Sequence, residues 1–160
     1  MNQLIIREAP LEELPRIAGL KKQIHDLHVS GRPDLFGPIE DPSAFAAHAA
    51  QEGVQLLLAE ISGQVVGYVL FRYMERPANL HAKERRFTHV QEFCVGKAFR
   101  HMGTGRALMD ALKSRARTKG YPRIELDVWS FNEGARQFYE AMGFSTFRYY
   151  MEMNADESDS

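Results

Sequence analysis

Hydrophobic and polar positions along the chain follow two periods. Residues 4–8 read as a strand. Leu14, Ile17, Leu20, Ile24 and Leu27 then recur at steps of three and four, the spacing of one helix face. Pro15 fits that helix only in its first turn, where amide hydrogens lack partners in any case. A polar loop with Gly31, Pro33, Gly37 and Pro38 precedes a short helix over residues 43–51. Residues 55–61 and 64–74 read as two strands, with Ser62-Gly63 as the hairpin turn between them. Residues 75–86 are charged and read as a loop, and 87–95 as a strand. Ala107, Leu108, Ala111, Leu112 and Ala116 share one face of a helix over 103–119, which Gly120 and Pro122 stop. Ile124, Leu126 and Val128 alternate with Glu125 and Asp127 in a strand over 123–129. Residues 132–142 are a short helix and 144–153 a last strand or hairpin. Strand, helix, strand over 87–129 implies one right-handed crossover and a parallel pair. The hairpin implies antiparallel neighbours. The fold class is mixed α/β (α+β) with a mainly antiparallel sheet.

Length and composition narrow the picture further. A chain of 160 residues suits one domain, here residues 1–153. The segment 154–160 is acidic, lacks apolar anchors, and is expected to be disordered. Twenty basic and 21 acidic side chains give a net charge of -1, which argues against a general nucleic-acid binder. The single cysteine, Cys94, permits no intrachain disulfide and argues against a cysteine zinc site. No apolar run approaches the roughly 20 residues of a membrane span, and the N-terminus does not read as a signal peptide. A cytoplasmic protein that engages no membrane is the expectation.

The chemistry lies between residues 87 and 144. Arg100-His101-Met102-Gly103-Thr104-Gly105-Arg106 joins a strand to an amphipathic helix. A helix N-terminus carries free amides and partial positive charge, so it binds anions. Gly103 and Gly105 let backbone amides approach a phosphate, and Arg100 and Arg106 add charge. A dinucleotide turn would need glycine where Leu108 stands, and a P-loop would need Gly-Lys-Ser or Gly-Lys-Thr. An NAD or ATP domain is therefore disfavoured.

The pattern Arg-x-x-Gly-x-Gly after a strand resembles the pyrophosphate turn of the GNAT acetyltransferases. Asn132-Glu133-Gly134-Ala135-Arg136-Gln137-Phe138-Tyr139-Glu140-Ala141-Met142-Gly143-Phe144 is similar to that family's Asn-x-x-Ala-x-x-Phe-Tyr-Glu-x-x-Gly-Phe signature. The resemblance is sharp from Val90 to Phe144 and weaker over residues 4–74. It implies the GNAT fold, with the strand before the turn splayed from its parallel neighbour. It implies acetyl-CoA as acyl donor and no metal. Pantetheine would pair with the backbone of Phe93, Cys94 and Val95. Arg100, His101, Met102, Gly103, Thr104, Gly105 and Arg106 would hold the phosphates, with Asn132 near the cofactor. The acceptor would be a small-molecule or peptide amine, and a homodimer is the expected assembly. The alternative is a non-catalytic CoA-binding module, sensory or regulatory.

Acetyl transfer needs a base for the amine, a donor for the oxyanion and an acid for the leaving thiolate. Tyr139 matches the family's acid, although Ala135, Phe138, Tyr139 and Met142 also form an apolar helix stripe. Glu92 is the only carboxylate of the 87–95 strand and is the candidate base, acting through water. Related enzymes also carry the acid one position earlier, where this chain has Gln91. Simple alternation puts Val90, Glu92 and Cys94 on one face, unless a bulge resets it. A backbone amide near Cys94 or Val95 would hold the oxyanion. Cys94 itself reads as a small buried residue, and His25 and His28 as ordinary surface or core histidines. Asn132 is an expected N-cap. An acceptor site would draw on residues 25–45, 75–86 and the final strand, with Asp34, Glu40 and Asp41 available to a cation.

Overall fold

In the computed structural model, which describes residues 3–156, the strands lie in the sheet in chain order. β1 (Leu4–Ala9), β2 (Gln55–Ile61), β3 (Gln64–Arg76) and β4 (Arg85–Val95) pair antiparallel. β5 (Ile124–Leu126) joins β4 in parallel through one helical crossover. The sheet is mixed and mainly antiparallel, as the order of elements implied. Ser62 and Gly63 take φ of 52° and 77°, the paired left-handed conformation that closes a two-residue hairpin.

The helix expected from Leu14 is in two pieces. Leu11–Ile17 is a 3-10 helix, and α1 (Ala18–Gly31) starts after it. Pro15 lacks the amide that an α-helical ladder would need there, so the preceding turns take the tighter form. Asp41 caps α2 (Pro42–Ala47) by accepting from the amides of Ser43 and Ala44, both at 3.1 Å. α3 (Thr104–Lys119) stops at Gly120, whose φ of 88° turns its amide back to Arg117 O. α4 is Glu133–Ala141.

Alternation along the central strands feeds two cores. Leu56, Leu58, Tyr68 and Leu70 pack with Leu14 and Ile17 under α1 and α2. Leu57, Val69 and Phe71 pack on the other face with Leu108, Met109 and Leu112 of α3.

Two expectations are corrected. β5 covers three residues, not 123–129, because the chain leaves β4 after Leu126. Residues 144–153 form no strand. Phe144 packs on the α3-side core, but the side chains beyond it have no sheet face to pack on, and strand propensity counts only where such a face exists. Tyr149, Met151 and Met153 are almost fully exposed. This segment is held instead by Arg123 over the Phe147 ring and by an Arg32–Glu152 ion pair at 2.6 Å. Asn154 Oδ1 accepts from the Asp156 amide, and residues 157–160 of the expected tail lie outside the described residues. No helix among the described residues is long and apolar enough to cross a membrane.

Candidate active site

The site starts from a bulge. β3 and β4 stay in register up to Leu70↔Glu92, and the next pair is Phe71↔Val90. Gln91 is the extra residue, and it inverts which face the side chains take. Val90 packs in the α3-side core, whereas Glu92 and Cys94 face α1. Unbroken alternation, which put all three on one face, is corrected by this one residue.

Past the bulge β4 has no partner strand on its outer edge among the described residues. Its pairing with β5 ends at Val90↔Leu126. Gly96 N donates to Val66 O, so in an antiparallel ladder the groups of Cys94 also point to β3. Those of Phe93 and Val95 point the other way, into the gap. Arg100 Nε donates to Val95 O at 3.2 Å from that side. The Cys94 groups are thus engaged with β3, contrary to the expectation that they would face a ligand, and the Phe93 and Val95 groups face the open edge.

The turn follows directly. His101 has φ 62° and Gly103 φ 85°, and Gly103 O accepts from Ala107 N to start α3. Among the described residues no side chain caps α3, so its first amides remain available to an anion. Arg100, His101, Met102 and Arg106 are exposed around them. The two glycines do different work. A Cβ on Gly103 would meet nothing within 4 Å, so its requirement is the left-handed backbone. A Cβ on Gly105 would stand 2.8 Å from Phe138 Cε1. Gly105 is small because α4 packs there, a reason the sequence reading had not given.

That contact carries Tyr139 to the same place. Asn132 Oδ1 accepts from Ala135 N at 3.1 Å and caps α4, as expected for an asparagine there. Phe138 then packs on Gly105 and on Phe93, with ring centroids 5.3 Å apart, and Tyr139 packs edge-on to Phe93 at 6.2 Å. Burial pushes the Tyr139 phenol well above its ordinary range, and the proximity of Cys94 adds to this. Its hydroxyl hydrogen bonds to nothing among the described residues.

Glu92 lies on the opposite face. It is ion-paired with Lys21 of α1 and accepts from Tyr68 Oη at 2.7 Å. Burial drives the Tyr68 phenol well above its usual value, so Tyr68 stays a donor. Lys21 is only 7% exposed, and its ammonium lies 4.7 Å from the centre of the Phe45 ring. Lys21 and Tyr68 were missed in the sequence. Lys21 had a signal: a lysine within the stripe Ile17, Ile24, His28 is out of place unless paired. Gln23 was missed too. It bridges α1 to the turn, donating to Val95 O at 3.5 Å and accepting from Lys97 N at 3.4 Å.

Remaining candidates resolve simply. Cys94 is buried and its thiol is pushed up to about 12, chiefly by that burial. It is a core residue and not a thiolate nucleophile. Asp34 is paired with Arg32 at 2.8 Å, and Asp41 is used as the α2 cap. The segment 75–86 lies at the far end of β4, where Arg85 pairs with Glu125 and Tyr121 Oη donates to Glu75. No group of three or more metal-ligand side chains occurs among the described residues.

Comparison with known proteins settles the family. Residues 21–144 match the model of the acetyltransferase (GNAT) family. The chain belongs to the GNAT acetyltransferase family. It is thereby an enzyme of the N-acetyltransferase class. An N-alpha-acetyltransferase of Sulfurisphaera tokodaii is 27% identical over 119 residues, 72% of this chain and 71% of that protein. The crystal structure of a tetramutant of the BH1408 protein of Bacillus halodurans is 30% identical with a TM-score of 0.84, covering 94% of this chain and 99% of that one. A ribosomal-protein-alanine N-acetyltransferase from Brucella melitensis shares the fold at 21% identity and TM-score 0.70, covering 95% of this chain and 100% of that one. So does the aminoglycoside N-acetyltransferase AAC(6')-Iy, solved with CoA, at 18% identity and TM-score 0.68, covering 98% of this chain and 97% of that one.

Proposed function

We propose that this GNAT enzyme transfers acetyl from acetyl-CoA to a primary amine by direct attack in a ternary complex. One observation carries the reading. The bulge at Gln91 puts Glu92 on the α1 face of β4 while Tyr139 packs on the α3 face, and the unpaired edge of β4 lies between them.

The donor set suits acetyl-CoA. The uncapped amides at Thr104, Gly105 and Arg106, with Arg100, His101, Met102 and Gly103, would hold its phosphates. Phe93 and Val95 would pair with the pantetheine amides as an added strand does. Asn132 would line the same cleft at the start of α4. The thioester carbonyl is the electrophile this donor supplies.

Each protein group then has one task. Glu92 takes a proton from the ammonium, through water, so that the neutral amine attacks from the α1 side. The Val95 amide, on the free edge, donates to the developing oxyanion. As the new N–C bond forms and the C–S bond breaks, the nitrogen gives its surplus proton to water, Tyr139 Oη protonates the sulfur from the α3 side, and solvent then returns a proton to the phenolate. A phenol raised by burial stays protonated for that step.

The reading is tested by thiol release from acetyl-CoA across an amine panel, with calorimetry of CoA, NAD and ATP beside it. CoA binding with release on at least one amine is the expected result. CoA binding without release on any amine would leave a CoA-binding module. Tight NAD or ATP binding without CoA would overturn the reading altogether.

A further inference from the structure

Beside Glu92 the molecule holds a group of rings that neither core uses. His25, His28, Phe36, Phe45, Trp129 and Phe131 come from α1, the α1–α2 loop, α2 and the β5–α4 loop. Phe36 packs edge-on to Trp129 at 5.3 Å, Trp129 stacks on Phe131 at 5.9 Å, and His28 lies 5.2 Å from Phe36. His25 joins Phe36 to Phe45 and is fixed by Gly37 O at 2.6 Å. None of the six belongs to either buried cluster or to the apolar residues packed on them. Trp129 is 39% exposed on its loop, so part of its ring is open to whatever covers it.

The place of these rings says what that is. Lys21 touches both the Glu92 carboxylate and the Phe45 ring. Trp129 stands three residues beyond Leu126, the point where β5 parts from β4. The rings thus border the face of the gap from which the amine must come.

The charges around the rings weigh against one class of acceptor. A polyamine or an aminoglycoside needs several carboxylates. Asp34 and Glu152 are both paired with Arg32 and Asp41 is used as a cap, which leaves Glu92 at the gap and the exposed Glu40 on the α1–α2 loop. His28 is held below its ordinary pKa, first by burial and then by His25 and Lys21, with Glu92 opposing, so it remains a neutral ring. Glu92, whose side chain keeps 24% exposure beside its Lys21 partner, is thus the carboxylate that meets one ammonium next to an apolar aromatic wall.

Resting on the acetyltransferase reading, we infer that the acceptor is a primary monoamine carrying an aromatic ring near the amine, which packs against Phe36, Trp129 and Phe131. A free arylalkylamine and a peptide with an N-terminal phenylalanine share that chemistry.

Two measurements test it. Thiol release is followed with 2-phenylethylamine, ethylamine, spermidine, and the amides of Phe-Gly and Ala-Gly. The aromatic member of a series should exceed its small counterpart in kcat/KM by roughly tenfold or more, and spermidine should fall below both. Whichever series turns over faster separates a free amine from a peptide N-terminus. Phe36→Ala should shrink the aromatic preference severalfold. Trp129 is the only tryptophan of the chain, so its emission reports occupancy directly and needs no variant to fold. It should shift on titrating 2-phenylethylamine with CoA present, and not with ethylamine. Equal or better turnover of ethylamine or spermidine overturns the inference and leaves acetyl transfer standing. A tryptophan response with no thiol release upholds aromatic recognition and defeats the transfer reading. Silence in both defeats both.

Discussion

At the scale of single residues, Glu92 and Tyr139 illustrate opposite uses of burial. Tyr139 is raised chiefly by loss of solvent, which keeps an acid charged with its proton. Removing its hydroxyl takes away nothing the packing needs. Tyr139→Phe is expected to keep its melting temperature and CoA affinity and to lose on the order of 10²-fold or more in kcat. Because the phenol is raised, the wild-type rate at saturating substrates should not fall through phenol ionisation below about pH 10. Glu92 has a structural debt that complicates its test. Glu92→Gln leaves the Lys21 ammonium buried without its counter-charge, which costs about 3 kcal/mol. The double variant Lys21→Met/Glu92→Gln should regain stability while turnover stays low. If turnover returns along with stability, Glu92 only anchors Lys21. Cys94→Ala, by contrast, should retain turnover, since a buried thiol at about 12 takes no part.

At the scale of elements, the two sequence motifs prove to be one packed unit. Gly103 sets the backbone of the turn, and Gly105 admits Phe138, which fixes the helix bearing Tyr139. The two glycines should therefore fail differently. Gly103→Ala forces a side chain into left-handed backbone at about 1–2 kcal/mol and should weaken CoA binding more than kcat. Gly105→Ala pushes Phe138 aside and should lower kcat more than CoA affinity. Calorimetry and thiol release on both variants read the contrast. Both motifs were legible in the sequence because each is local: a turn and a helix face recur at fixed offsets. The bulge was not, since Gln91 looks like any strand residue and only the register with β3 exposes it. The aromatic wall was not, since its rings come from four separate segments. The final strand was misread for a related reason: residues 144–153 have strand composition, but an edge to pair with is not written in them.

At the scale of the whole molecule, the sheet is a partition, and an ionic network ties its first two strands to the helix that leads into α1. Arg7 of β1, Glu13 and Arg16 of the 3-10 helix and Glu60 of β2 form one ionic cluster, with Arg7–Glu13 and Arg16–Glu13 at 2.6 Å and Arg16–Glu60 at 2.9 Å. Arg7 also pairs with Glu60. This cluster ties the first strand and the 3-10 helix to β2, and α1 with Lys21 and His28 continues from that helix. Hydrogen bonds from Arg7 and then Arg16 hold the Glu13 carboxyl down to about 2, and Arg16 with Arg7 also lowers Glu60. A carboxyl depressed in the folded state stabilises above its unfolded pKa, here 4.5, and that contribution is lost as pH falls toward 2. The melting temperature should thus be flat from neutrality to about pH 5 and drop below it. In Glu13→Gln the acid drop should be shallower and the neutral value lower, because the linked proton is gone. Scanning melts of both proteins between pH 7 and 3 check this. Parallel curves would mean that the cluster does not set acid stability, and that the α1 side of the cleft is held by its apolar core alone.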